Sequence, residues 1–216
     1  MSYRPHEYWF EHGKTYKDEF RYNKNFELQE KILIDYLKTN LSSFSSVFEV
    51  GCGFGRITKL LLSNFPNITE YLAIDLSSDQ IENAKELIRQ GIVTNGQDPK
   101  VIFMVSDIQS FQIKQKYDLV IASEVLMHIL PYEIEEVMRK LVSISNEHVV
   151  NIDWYEQQAP SKAAPHNFIH QYEKIYRNMT GILNVYRIPV MKKGSWLTSV
   201  DTKQCVFHAL IKKLIS

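Results

Sequence analysis

The sequence predicts an α/β fold on a mainly parallel sheet, and three observations carry that prediction. An apolar stretch, Phe48-Glu49-Val50, feeds the glycine-rich turn Gly51-Cys52-Gly53-Phe54-Gly55, which opens into a helical pattern from Ile57 to Phe65. Tyr71-Leu72-Ala73-Ile74-Asp75 reads as a second buried strand ending in a carboxylate, and helix signals follow at once. Two more apolar runs, Val101–Val105 and Tyr117–Ala122, likewise end in polar residues. Such alternation implies parallel strands joined by right-handed crossovers.

Taken in order, the chain begins with an aromatic, charged segment over 3–24 that holds Tyr8, Trp9, Phe10, Tyr16 and Phe20. An amphipathic helix is expected over about 26–40, with Leu33, Leu37 and Leu41 on one stripe. The glycines of the 51–55 turn let backbone approach a ligand without a Cβ in the way. The helix behind them presents free N–H groups to an anionic group, so the turn reads as a cradle for a nucleotide-like ligand. After the second strand, Ser77 and Gln80 form a capping box and Gly91 suits the C′ position. Pro131 fits the first turn of a helix over 132–145, whose Glu135, Glu136, Arg139 and Lys140 make a solvated face. His148–Ile152 is the fifth strand. The loop-like stretch 153–166 contains Pro160 and Pro165 and leads to a helix over 168–179. Leu183–Val190 and Cys205–Lys213 are the last two strands, around a polar turn.

Composition narrows the function. The 216 residues are 44% hydrophobic and 23% charged, with zero net charge. A nucleic-acid enzyme would more often carry a basic face, and no basic run is present. No apolar stretch approaches 18 residues, and Met1-Ser2-Tyr3-Arg4-Pro5-His6 is polar. The expectation is a cytoplasmic protein, monomer or homodimer, that binds neither nucleic acid nor membrane. Cys52 and Cys205 read as reduced thiols. The seven histidines show no metal-binding spacing; His166 and His170 are four apart but lack an obvious third ligand, so no metal is expected.

The turn departs from the dinucleotide pattern G-x-G-x-x-G, because its third glycine comes one residue early and Glu49 stands two residues before the first. This variant resembles the first motif of class I S-adenosylmethionine (SAM)-dependent methyltransferases. Asp75 follows Gly51 by 24 residues, near the spacing of a ribose-binding acid. Ser106-Asp107-Ile108 and the segment Asp118 to His128 resemble the third and fourth motifs of small-molecule members, the latter as D-x-V-x-x-x-x-V-L-x-H. The resemblance covers a little over half of the chain. It implies a Rossmann-like three-layer sandwich of seven strands in the order 3-2-1-4-5-7-6, strand 7 antiparallel, with the ligand beyond strands 1, 2 and 4. One domain over 1–216 is expected, with a helical cap or lid over 1–44, a SAM-binding core over 45–152 and an acceptor-pocket segment over 153–216. SAM would be held by Glu49, Gly51, Gly53, Gly55, Asp75, Leu76, Asp107, Ile108, Ser123 and Glu124. By the same resemblance Asp107 meets the adenine amino group, Ile108 packs on the ring, Glu124 borders the methionine end, and Trp9 and Tyr16 close over the cofactor.

Methyl transfer from a sulfonium needs in-line positioning of a nucleophile, and a hydroxyl nucleophile gains from a base. His170, His128 and His166 are the candidate bases, and a histidine base predicts a rate limb near neutral pH. Asp153, Trp154 and Tyr172 are the candidate acceptor contacts. The N-P-P-[YF] signature of certain amino-methylating enzymes is replaced by Ala122-Ser123-Glu124-Val125, and a K-P-G-G turn before strand 5 is missing. The leading expectation is methylation of a small polar acceptor, at a hydroxyl oxygen of a sugar or similar metabolite. N-methylation of a small molecule and a catalytically silent SAM-binding partner subunit stay open. A nicotinamide-dependent oxidoreductase is disfavoured by the early third glycine and by the lack of a Tyr-x-x-x-Lys pair.

Overall fold

A computed structural model describes residues 3–20, 23, 25–41, 43–91, 98–112, 114–155, 166–190 and 204–212. Helices α1 (Pro5–Phe20) and α2 (Asn25–Asn40) precede β1 (Ser46–Val50), α3 (Arg56–Asn64), β2 (Glu70–Asp75), α4 (Ser78–Arg89) and β3 (Lys100–Val105). Then follow β4 (Tyr117–Ser123), a 3-10 turn (Leu126–His128), α5 (Ile134–Ile144), β5 (Ser145–Trp154), α6 (Tyr172–Arg177), β6 (Ile182–Pro189) and β7 (Gln204–Ile211). The seven strands run in the order β3-β2-β1-β4-β5-β7-β6. Pairs among β1 to β5 are parallel, and β7 is antiparallel to both β5 and β6.

The central strands β1, β2 and β4 are apolar nearly throughout because both faces of the sheet are covered there. Successive side chains alternate between faces. In β1, Val47 joins Leu33, Leu37, Leu61 and Ile81 from α2, α3 and α4, whereas Phe48 joins Met138, Leu141, Tyr172 and Tyr176 from α5 and α6. Chain order reverses at β1, with β2 on one side and β4 on the other, which opens a crevice beyond their carboxyl ends.

Several boundaries differ from the sequence expectation for local reasons. Only half of the Ser77–Gln80 capping box forms: Ser77 Oγ accepts from Gln80 N–H, but the Ser77 N–H goes to Asp75 Oδ1 at 2.9 Å. Helix α5 starts at Ile134, and Pro131 lies in the preceding turn, where Leu130 C=O accepts from the N–H groups of Glu133 and Ile134. Helix α6 starts at Tyr172 rather than 168. Residues ahead of it are spent on the 3-10 turn instead: Phe168 N–H donates to Met127 C=O, and His170 Nε2 donates to Ile129 C=O. The turn expected between the last strands, and Pro160 and Pro165, lie outside the described residues. No described helix is long and apolar enough to cross a membrane.

Helix α1 is tied down at one glycine. Gly13 is buried, its carbonyl accepts from Gln80 Nε2, and a Cβ there would overlap the side chain of Ser77. Backbone of α1 therefore rests directly on the N-terminus of α4. Gly13→Val should lift α1 away while sparing the sheet core. The expected result is rapid proteolysis within residues 5–20 at conditions where the rest of the chain resists, with a small change in melting temperature.

Candidate functional site

A cavity opens at the carboxyl ends of β1, β2, β3 and β4 and is roofed by α1. Its floor is the loop after β1. Gly51 and Cys52 donate their N–H groups to Ile74 C=O at the end of β2, and Gly53 donates to Asp75 Oδ2 at 2.8 Å. Gly51 has φ +67°, and a Cβ there would run into Val125, so the glycine is required by the close approach of the chain after β4. A Cβ on Gly53 would instead project into the cavity, 3.7 Å from the Tyr16 ring. That face of the loop is open to the cavity.

Asp75 lines the cavity with one oxygen on Gly53 N–H and the other on Ser77 N–H. Burial raises its pKa, and the N–H groups of Ser77, Gly53 and Leu76 oppose the rise. Asp107, after β3, accepts from Gln109 N–H through Oδ1, and its Oδ2 lies 2.9 Å from His6 Nε2 of α1. Leu76 and the buried Ile108 line the same end. Glu49 lies at the bottom, 2% exposed, where its Oε2 accepts from Thr58 Oγ1 and from Tyr71 Oη. Burial pushes its pKa up to about 7, against those two donors.

Opposite stands a polar cluster in which the expected Ser123 and Glu124 are joined by Arg56 and Glu30, which the motifs did not announce. Arg56, the first residue of α3, donates to Glu30 Oε1 at 3.1 Å and to Ser123 Oγ at 3.2 Å, and lies 3.7 Å from Glu124 Oε2. Its guanidinium stacks 3.9 Å over the Phe26 ring. Glu124 is a non-glycine residue at φ +58°, held by its N–H bond to Ile152 C=O and by Gln204 Nε2 on its carboxylate. Such a conformation costs about 1–3 kcal/mol and is typical of ligand sites. The only advance signal for Arg56 was a basic residue directly behind the third glycine.

The aromatic residues of α1 form the roof. Trp9 lies 4.4 Å from the His128 ring and 6.0 Å from Tyr16, and its Nε1 donates to Tyr3 Oη. His128 Nδ1 sits 3.1 Å from His166 C=O. A carbonyl only accepts, so Nδ1 carries the proton and Nε2 keeps its lone pair. Burial lowers the His128 pKa to about 4, opposed by the carbonyls of His166 and Glu124, while the nearby His166 and His12 rings lower it further. His128 is therefore neutral at physiological pH.

The remaining candidates are placed elsewhere. The His166 ring lies 4.5 Å from that of Tyr8 and 5.5 Å from that of His128, and His166 is absent from the described lining. His170 is buried under the 126–129 segment, bonded to Ile129 C=O. Asp153 is fully buried; it accepts from Met127 N–H and from Asn151 Nδ2, and burial raises its pKa to about 8. Tyr172 packs in the core against Phe207, and Trp154 ends β5. None of these five is among the described residues that line the cavity. The reason is strand direction for Asp153, and for His170 and Tyr172 the tethering of 166–171 to the 3-10 turn. Among the described residues, no three His, Cys, Asp or Glu side chains converge on a metal position.

Residues 47–148 match a family described as a methyltransferase domain. That stretch, a little under half of the chain, is a methyltransferase domain of the SAM-dependent class. The chain is 34% identical over 113 residues to a malonyl-[acyl-carrier protein] O-methyltransferase of Priestia megaterium, covering 52% of this chain and 37% of that one. It is 29% identical over 195 residues to a putative methyltransferase, 235L, of Invertebrate iridescent virus 6, covering 78% and 68%. The match thus spans little more than a third of the malonyl-type relative. Among solved structures, N-methyltransferase NodS from Bradyrhizobium japonicum WM9 with S-adenosylhomocysteine (SAH) has a TM-score of 0.71 at 18% identity, covering 96% and 99% of the two chains. Magnesium protoporphyrin IX methyltransferase (ChlM) from Synechocystis PCC 6803 has a TM-score of 0.69 at 16% identity, covering 98% and 99%. These structural likenesses show the fold.

The cavity of this methyltransferase domain suits SAM chemically. Its described lining holds four carboxyl groups (Asp75, Asp107, Glu124, Glu133), besides the half-titrated Glu49, against one guanidinium, Arg56, a balance that suits a cationic sulfonium. The buried Glu49 also makes a stability prediction. Its native pKa of about 7 exceeds the ordinary 4.5, so this group's contribution to stability is greatest below pH 4.5 and is lost as pH rises through about 7. Glu49→Gln should remove about 3 kcal/mol of that decline relative to the wild type, read by urea unfolding at a series of pH values. Identical slopes for the two proteins would contradict the burial argument.

Proposed function

We propose that the enzyme moves the methyl group of SAM to a hydroxyl of a small, uncharged acceptor, with His128 as the base. The observation that carries this reading is the neutral His128 ring on the wall of the cofactor cavity, its tautomer set by His166 C=O. SAM supplies an electrophilic methyl on a positively charged sulfur. The chain's own part is to hold the donor and to orient the acceptor. Asp75 would take the ribose hydroxyls, Asp107 and Ile108 the adenine, and the loop 51–55 with Arg56 and Glu124 the methionine end. Arg56 and Glu124, 3.7 Å apart, present one charge of each sign, as a zwitterionic head requires. Trp9 and Tyr16 cover the donor, and the edge of Trp9 toward His128 is where we place the acceptor. We take residues 1–44 as the lid, 45–152 as the donor-binding core and 153–216 as support for the acceptor side.

The malonyl-type relatives carry a carboxylate acceptor in their name. Here the one guanidinium among the described lining residues is the one we assign to the methionine head of the donor, so a carboxylate acceptor would meet no second guanidinium or ammonium among those residues. A neutral hydroxyl fits this charge balance better.

His128→Ala is expected to keep SAH affinity and lower turnover by about 10²–10⁴-fold, the usual contribution of a positioned base. Because the ring must be neutral to accept a proton, wild-type activity should fall on the acid side with a midpoint near 4, rather than near neutral. A limb near neutral pH that persists in His128→Ala, and vanishes in His170→Ala, would return the role to His170. Faster turnover with malonyl thioesters than with any hydroxylated acceptor would overturn the acceptor class.

A further inference from the structure

Gln80 has a side chain divided between the lid and the cavity. It is the third residue of α4, 2% exposed, and a capping box would have sent its amide back to Ser77 N–H. That donor is taken by Asp75 Oδ1, which frees Gln80 to reach away from its own helix. Its Nε2 donates to Gly13 C=O of α1. A carbonyl oxygen only accepts, so the amide cannot be turned round: nitrogen faces α1 and Oε1 faces the other way. That oxygen is buried and has no hydrogen-bond partner in the protein. It lies on the cavity wall, 4.0 Å from where a Cβ of Gly53 would project, beside the loop whose N–H reaches Asp75 Oδ2. An unpaired buried acceptor is costly to keep and calls for a donor from the ligand side.

The donors SAM offers next to Asp75 are its ribose hydroxyls. We propose that Gln80 Oε1 accepts a hydrogen bond from one ribose hydroxyl of the bound cofactor, sharing the ribose with Asp75, and that Gly13 C=O holds the amide in the orientation that makes this possible. This assignment rests on reading the cavity as the SAM site. It makes Gln80 the link between α1 docking and cofactor binding. A lid in place presents a ready acceptor, and a bound ribose in turn secures the lid.

The test is calorimetric titration of SAH, 2′-deoxy-SAH and 3′-deoxy-SAH into the wild type and Gln80→Met, a change that keeps length and removes the amide. Gln80→Met should weaken SAH about 3- to 10-fold, as for one neutral hydrogen bond. One of the two deoxy analogues should bind both proteins equally, because it lacks the hydroxyl that Gln80 reads. An equal loss for all three ligands, or no loss for any, overturns the proposal. Should Gln80→Met fold poorly, wild-type protein selectively labelled at its glutamine amides decides. The Gln80 side-chain signal must move with SAH and stay put with the matching deoxy analogue, and equal movement with all three overturns the assignment. Failure of wild type to bind any of the three would instead contradict the cofactor reading on which it rests.

Discussion

The Asp75 carboxylate is the fixed point of the cavity. One oxygen holds Gly53 N–H of the loop after β1, and the other holds Ser77 N–H at the start of α4. Loop, strand and helix are thereby set in one relation before any ligand arrives. Removing the carboxylate would leave two N–H groups short of a partner, as well as a ribose site without its acid. The same bond to Ser77 is what diverts Gln80 from its cap toward α1, so the lid's seat on α4 follows from it too. An acid at the end of β2 is thus as much an architectural residue as a binding one, and burial, which raises its pKa, is opposed by those same N–H groups.

Charge separates the two ends of the site. Carboxylates gather where a cationic donor would lie, and the one guanidinium among the described lining residues is braced by Glu30, Glu124 and the Phe26 ring. After transfer the donor has lost its sulfonium charge, so a negatively lined cavity holds the reactant more strongly than the product and favours release. The left-handed backbone at Glu124 belongs to this arrangement. Its strain brings a carboxylate into the cavity from the end of β4, where an ordinary extended residue would continue the strand.

The sheet, its order and the loop were legible because they depend on local signals: apolar runs of strand length, glycines at fixed spacing, and an acid at each strand end. The residues expected to hold the donor, from Glu49 to Glu124 with Trp9 and Tyr16, line one cavity for the same reason, except Gly55, where a Cβ would meet Ala84 of α4 instead. The acceptor side was not legible. Asp153 ends β5 as expected, yet its carboxylate caps the 3-10 turn through Met127 N–H, because the chain after β4 folds over that strand end. His170 and Tyr172 read as helix residues facing a pocket, but backbone bonds from 168 and side-chain bonds from His170 draw their segment onto residues 127–129. Arg56 and Gly13 carried no motif, since ion pairs that join α3 to α2 and to the residue after β4, and a helix contact between α1 and α4, bring together residues distant in sequence.

The central claim is that SAM lies on the Gly51–Gly55 loop, reaches Asp75 and Asp107, and is covered by α1. Amide hydrogen exchange with and without SAH tests it most directly. Bound SAH should slow exchange together in residues 51–57, 75–80, 106–109 and 6–16, with the β5–β7 side unchanged. Protection confined to another surface, or none in the loop and lid at saturating SAH, would contradict it.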